Sequence, residues 1–246
     1  MDFRIPDYEI IPVSSRGGSQ VPNWGIDFLK VAEVWPKFKG EGLVVGVFDT
    51  EKIFLHPDLV DNSLNEYAVD GTGENSDVSH GHGIHVAGIA AARDNDFGAI
   101  GVAPGAKIVP LKCLTSSGWG SWNYIDKMVD HFIKIKEKFP NDTFVGNFSL
   151  GGTAGSSVLE KAMQKLFNAG IMPFAASGNM GCANGVPTSG FPAGYGEVTS
   201  IASLDSNGKS SVFSSCGKVE FAFPGNDIHS THKDNGYARL SGTSMA

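Results

Sequence analysis

Between residues 43 and 204, apolar runs of strand length alternate with longer segments of helical period. "LVVGVF" (43–48) is continuous, β-branched and closed by a turn, the pattern of a buried strand. "KIVPLKCL" (107–114), "FVGNFSL" (144–150), "IMPFAAS" (171–177) and "VTSIASL" (198–204) read the same way. Between them lie a small-residue helix beginning in "HVAGIAAA" (85–92) and two amphipathic ones. The first, "SWNYIDKMVDHFIKIKEK" (121–138), ends in lysines that suit a helix C-terminus. The second, "SVLEKAMQKLFNAG" (157–170), ends at Gly170 as its cap. Strand and helix in alternation predict an α/β fold: a mostly parallel central sheet with helices on both faces. The expected organisation is an N-terminal extension or linker over 1–19, punctuated by Pro6, Pro12 and "SSRGGS", then one domain over 20–246.

Composition narrows the function. Hydrophobic residues make up 41% and charged residues 18%, as in a globular chain. The net charge of −7, with no basic run, argues against a nucleic-acid partner. No apolar run reaches membrane-spanning length, so no membrane partner is expected, and the N-terminus does not resemble a secretory signal. Three cysteines, Cys113, Cys182 and Cys216, are odd in number and form no C-x-x-C pair. They are expected to be buried free thiols, Cys113 most clearly, rather than a disulfide framework or zinc ribbon.

Three stretches carry chemistry. Asp49 closes the first buried strand, at the kind of strand end where open α/β sheets bind ligands. "SHGHGIH" (79–85) sets His80, His82 and His85 within six residues, a spacing that zinc hydrolases also use. "SGTSMA" (241–246) holds Ser244 among small residues. Singly, each has a plain reading: a turn, a core histidine, a loop serine. Together they supply a nucleophile, a base and a carboxylate to hold the base's tautomer, in the order Asp, His, Ser. The α/β-hydrolase alternative fails because no G-x-S-x-G occurs.

With these residues in view, the chain resembles the subtilisin-like serine proteases, the subtilases. "VVGVFDT…HPDL" resembles the family's aspartate motif, "HGIHVAG" its histidine motif with Ile84 in place of Thr, and "GTSMA" its serine motif. "NFSLGG" (147–152) and "AASGN" (175–179) agree as well, so five motifs appear in order from about residue 20 onward. The resemblance implies Asp49, His82 and Ser244 as a catalytic triad and Asn179 as oxyanion donor. It leaves His85 as a neutral core histidine and His80 exposed. A peptide substrate would add a strand between Ser149, Leu150 and Gly151 on one side and Gly118 to Gly120 on the other. Gly190 would floor the S1 pocket, and with Met180 nearby a large apolar P1 residue is expected. Trp122 either borders the S4 pocket or packs on its own helix. A structural calcium ion is implied, held by Asp58, Asn95 and backbone carbonyls with Gln20 as a further ligand, and no catalytic metal. Polypeptide substrates and a monomer are expected.

The pattern also breaks. Glu51 stands where the family has glycine, which predicts backbone strain and a second negative charge near Asp49. The sequence ends two residues past Ser244, so a fragment lacking its C-terminal part, poorly folded and nearly inactive alone, is expected. The competing functions are an inactive, peptide-binding relative and a zinc hydrolase. Localisation is extracellular if the chain belongs to a secreted precursor, and cytoplasmic if it is an intracellular subtilisin. Those carry a short inhibitory extension that "EIIPV" (9–13) resembles, which predicts a gain of activity on deleting residues 1–18 from a complete version.

Overall fold

A computed structural model describes residues 2–5, 11–13, 19–74 and 79–246. In chain order, β1 (Asp2–Arg4), β2 (Ile11–Val13) and β3 (Val21–Pro22) precede the short α1 (Trp24–Phe28). Next come β4 (Leu43–Asp49), β5 (Val69–Asp70), α2 (His82–Ala91), β6 (Ala99–Ile100), β7 (Lys107–Lys112), β8 (Trp119–Ser121) and α3 (Trp122–Lys136). They are followed by β9 (Thr143–Phe148), α4 (Ser157–Asn168), β10 (Met172–Ala176), β11 (Thr199–Leu204) and β12 (Phe221–Pro224). A hairpin of β13 (Ile228–His232) and β14 (Gly236–Leu240) precedes a last 3₁₀ turn, Thr243–Met245. Pro6 and the linker residues 14–18 lie outside the described residues.

Seven strands form one sheet in the order β12-β11-β10-β9-β4-β7-β5, and every pairing in it is parallel. The central strand β4 explains both layers. Its Val44 and Phe48 point into the cluster built with α3 and α4, and Val45 and Val47 point into the cluster that includes Ile84, Val86 and Ala87 of α2. Gly46 is needed for the first of these: a Cβ there would lie 2.6 Å from the Phe132 ring. The helix signals hold as well, since Ser121 and Ser156 cap α3 and α4 by accepting from Asn123 N and Leu159 N.

The extension is not a free linker over its described residues. β1 pairs antiparallel with β8, and β2 pairs with β14. Two further expectations are corrected. Cys182 and Cys216 form a disulfide with Cα atoms 5.4 Å apart, and Cys113 alone is a buried free thiol. Glu51 does not adopt a left-handed backbone angle, so the expected strain is absent.

Candidate active site

The parallel sheet presents its strand ends on one edge, and the site is built there. Asp49 is the last residue of β4, Ser149 follows β9, and Ser177 to Asn179 follow β10. His82 is the first residue of α2, after Gly81 in a left-handed conformation at its N-cap. Ser244 lies in the last 3₁₀ turn.

Asp49 and His82 are each 1% exposed and form a tight couple. His82 Nδ1 lies 2.9 Å from both carboxylate oxygens of Asp49. Asp49 Oδ1 also accepts from the Thr50 backbone N–H (2.8 Å) and lies 3.1 Å from the Thr50 hydroxyl. A carboxylate against Nδ1 places the ring proton there and leaves Nε2 as the basic nitrogen. Ser244 is buried, and its hydroxyl donates to the Ser149 carbonyl (3.1 Å). Asn179 Oδ1 accepts from both the backbone N–H and the hydroxyl of Thr243 (2.9 Å each). Those two bonds fix the carboxamide, with its oxygen toward Thr243, one residue before the serine.

The three histidines serve three different purposes. His85 is fully buried, and its Nε2 is shared by the carbonyls of Ile228 (3.0 Å) and Ala238 (3.1 Å). Burial depresses its pKa to about 3, so it is neutral. His80 is half-buried rather than exposed and packs edge-on to His82, with ring centres 6.3 Å apart. Burial lowers its pKa too, helped by the neighbouring His82. Among the described residues no group of three or more His, Cys, Asp or Glu is arranged to hold a metal.

A cavity of about 480 Å³ runs alongside, lined by Leu150 to Thr153, Ala176 to Met180, Thr188, Gly190 and Ser244. Its charged lining residue is Arg4, which belongs to β1. Indeed β1 lies in the groove where a substrate strand is expected. Phe3 pairs with Gly120, Arg4 bridges to Gly151, and Ile5 N–H donates to the Gly118 carbonyl (3.0 Å). Phe3 stacks flat on Trp122, with ring centres 4.2 Å apart, so Trp122 both opens α3 and borders this groove. The sequence reading missed this strand, because "DFRI" is too short to carry a period.

The expected calcium ligands also come together. Gln20 Nε2 lies within reach of Asn95 Oδ1 (3.2 Å) and the carbonyls of Phe97 (3.4 Å), Ala99 (3.0 Å) and Arg93. Asp58 is fully buried beside them and accepts from Asn95 Nδ2 (3.2 Å), Ala99 N (2.9 Å) and the Tyr237 hydroxyl (2.9 Å). Four of these oxygens surround the Gln20 amide nitrogen, with the Asp58 carboxylate nearby; carboxylate, amide and backbone oxygens are the ligand types that calcium takes.

The sequence is also similar to those of known proteins. A profile of the subtilase family matches residues 40–246. Subtilisin DY of Bacillus licheniformis is 37% identical over 230 residues, 93% of this chain and 81% of that protein. Thermitase of Thermoactinomyces vulgaris is 35% identical over 225 residues, 91% and 77% of the two chains. The thermostable alkaline protease of Halalkalibacterium halodurans is 38% identical over 234 residues; the chain spans 60% of its length. With its parallel sheet, its buried Asp49–His82 couple and these matches, the chain belongs to the subtilase family of serine peptidases.

Proposed function

We propose that the chain is a serine endopeptidase acting through Asp49, His82 and Ser244. The observation that carries this reading is the buried Asp49–His82 couple, with Asn179 locked to the residue before Ser244. In the reaction, Ser244 Oγ turns from Ser149 toward His82, whose Nε2 takes its proton as the hydroxyl attacks the scissile carbonyl. Asp49 holds the ring and stabilises the imidazolium. Asn179 Nδ2 and the Ser244 backbone N–H would meet the oxyanion, and removing the equivalent asparagine donor of subtilisin costs roughly 10²–10³ in kcat. His82 then returns the proton to the leaving amine.

Substrate would lie between Gly118 to Gly120 and Ser149 to Gly151, recognised mainly through its backbone. The cavity floor of Gly152, Gly190 and small side chains supports a large apolar P1 residue. A bound calcium would fasten Gln20, Asp58 and Asn95 to the carbonyls of Phe97 and Ala99, a structural role. The described residues of "EIIPV", Ile11–Val13, pair with β14, and it is β1 that takes the backbone groups a substrate would need, which supports an inhibitory extension acting through β1. Deleting residues 1–18 should therefore raise peptidase activity; no change would end that idea.

One observation favours a second reading, peptide binding without cleavage: the Ser244 hydroxyl is bonded to Ser149. A fluorophosphonate separates the two, because it labels only an activated serine. Labelling that disappears in Ser244→Ala supports the peptidase; an unlabelled, folded protein that still binds peptide supports the alternative.

A further inference from the structure

Glu51 is a carboxylic acid that the triad chemistry does not use, and its side chain lies directly behind the triad. It is 5% exposed. One oxygen, Oε1, accepts from the Gly81 backbone N–H (2.6 Å) and the Ser79 hydroxyl (3.0 Å). The other, Oε2, is bonded to the Thr50 hydroxyl, the same hydroxyl that lies 3.1 Å from Asp49 Oδ1. The seat is specific: a Cβ on Gly83 would lie 2.3 Å from Oε2, so only glycine at that helix position admits the carboxyl. Gly81 is the N-cap of α2, and α2 begins with His82.

We propose that Glu51 is a positioning residue for the general base, capping α2 through Gly81 and controlling, through Thr50, how many donors reach Asp49. The inference rests on the triad reading above. Its logic is that a hydroxyl has one proton. When Glu51 carries a proton, Oε2–H donates to Thr50 Oγ1, and Thr50 Oγ1–H donates to Asp49. When Glu51 releases that proton to solvent, its carboxylate competes for the Thr50 proton. Asp49 then loses one donor, and a second negative charge stands behind it. Both changes favour the protonated form of the neighbouring imidazole and so reduce the free base at a given pH.

The surroundings support a carboxyl that keeps its proton longer than an ordinary one. Burial, and then the charge of Asp49, raise its pKa above the usual carboxylate range. The charged and titratable groups around it come from every packed element. Asp49 lies on β4, His82 on α2 with His80 before it, and Lys112 on β7, its Nζ bonded to the carbonyls of Thr50 (2.7 Å) and Leu114 (2.8 Å). Lys52, His56, His232 and Asp234 line the small cavity beside Glu51.

The test uses the full chain and the isosteric Glu51→Gln, which keeps the acceptor for Gly81 and a permanent donor for Thr50. The rate of fluorophosphonate labelling of Ser244 is measured against pH, with the resonance of the Asp49–His82 proton followed over the same range. In Glu51→Gln both titrations should move to lower pH by roughly one unit, the order expected for removing a nearby like charge. Glu51→Ala, which loses the cap, should also label about tenfold more slowly at every pH. Profiles for Glu51→Gln that superimpose on those of the unaltered protein would overturn the inference while leaving the triad intact. If the unaltered protein is folded by circular dichroism yet shows no labelling at any pH, the triad reading itself fails, and this one falls with it.

Discussion

His82 and His85 are one turn apart on α2, and both are buried, yet their surroundings differ. His82 has a carboxylate on Nδ1, so it can hold a positive charge while a proton passes through it. His85 has two backbone carbonyls on Nε2 and no carboxylate among its bonded partners, so a charge there would be poorly compensated. Three residues apart, they share one side of the helix, where His82 meets the strand end of β4 and His85 meets the hairpin of β13 and β14. Burial alone does not fit a histidine for proton transfer; the group bonded to its ring nitrogen decides whether a charge can be held there.

The largest effect should come from His82→Ala. By analogy with subtilisin's own triad, activity should fall by about 10⁶ with little change in melting temperature. A loss under a hundredfold would remove His82 from the base's role. Asp49→Asn sharpens the same point. It keeps the shape and removes the charge, and about 10⁴ in kcat should be lost because the ring takes the wrong tautomer.

His85→Ala should behave in the other manner. The folded fraction should still label with the fluorophosphonate, while stability falls by about 2–3 kcal/mol, since two carbonyls lose their donor and a cavity opens. The pH dependence has a definite sign. His85 stays neutral in the fold down to about pH 3, whereas in the unfolded chain it takes up a proton near pH 6.5. Its contribution is therefore fully present above about pH 6.5 and is lost as pH falls toward 3, by up to about 1.4 kcal/mol per pH unit. In denaturant titrations His85→Ala should be less sensitive to acid over that window. Equal acid sensitivity would mean that His85 is not the buried neutral group described. The smallest effect should be at the expected calcium ligands. Chelating calcium should lower the melting temperature but leave the pH profile of labelling unchanged. An unchanged melting temperature would argue against a bound ion at Asp58 and Asn95.

Much of the molecule was legible from residue order. "LVVGVF" could only be a buried strand, because its apolar side chains leave no face for water, and β4 is the centre of the sheet. The helix over 122–136 was legible from period and cap, and the meeting of Asp49 with His82 from residue types that chemistry restricts. What the sequence did not contain was anything that depends on distant groups meeting. Cys182 and Cys216 are 34 residues apart, and spacing does not encode which thiols pair. The half-buried setting of His80 depends on its packing beside His82. The pairing of β1 with Gly120 and Gly151 comes from free backbone groups at a cleft rim, which every short extended segment can satisfy equally well on paper. Glu51 looked like strain because glycine is usual there. The tertiary structure decided otherwise, since the space above Gly83 and the donors of Gly81 and Ser79 exist only once α2 lies against the end of β4.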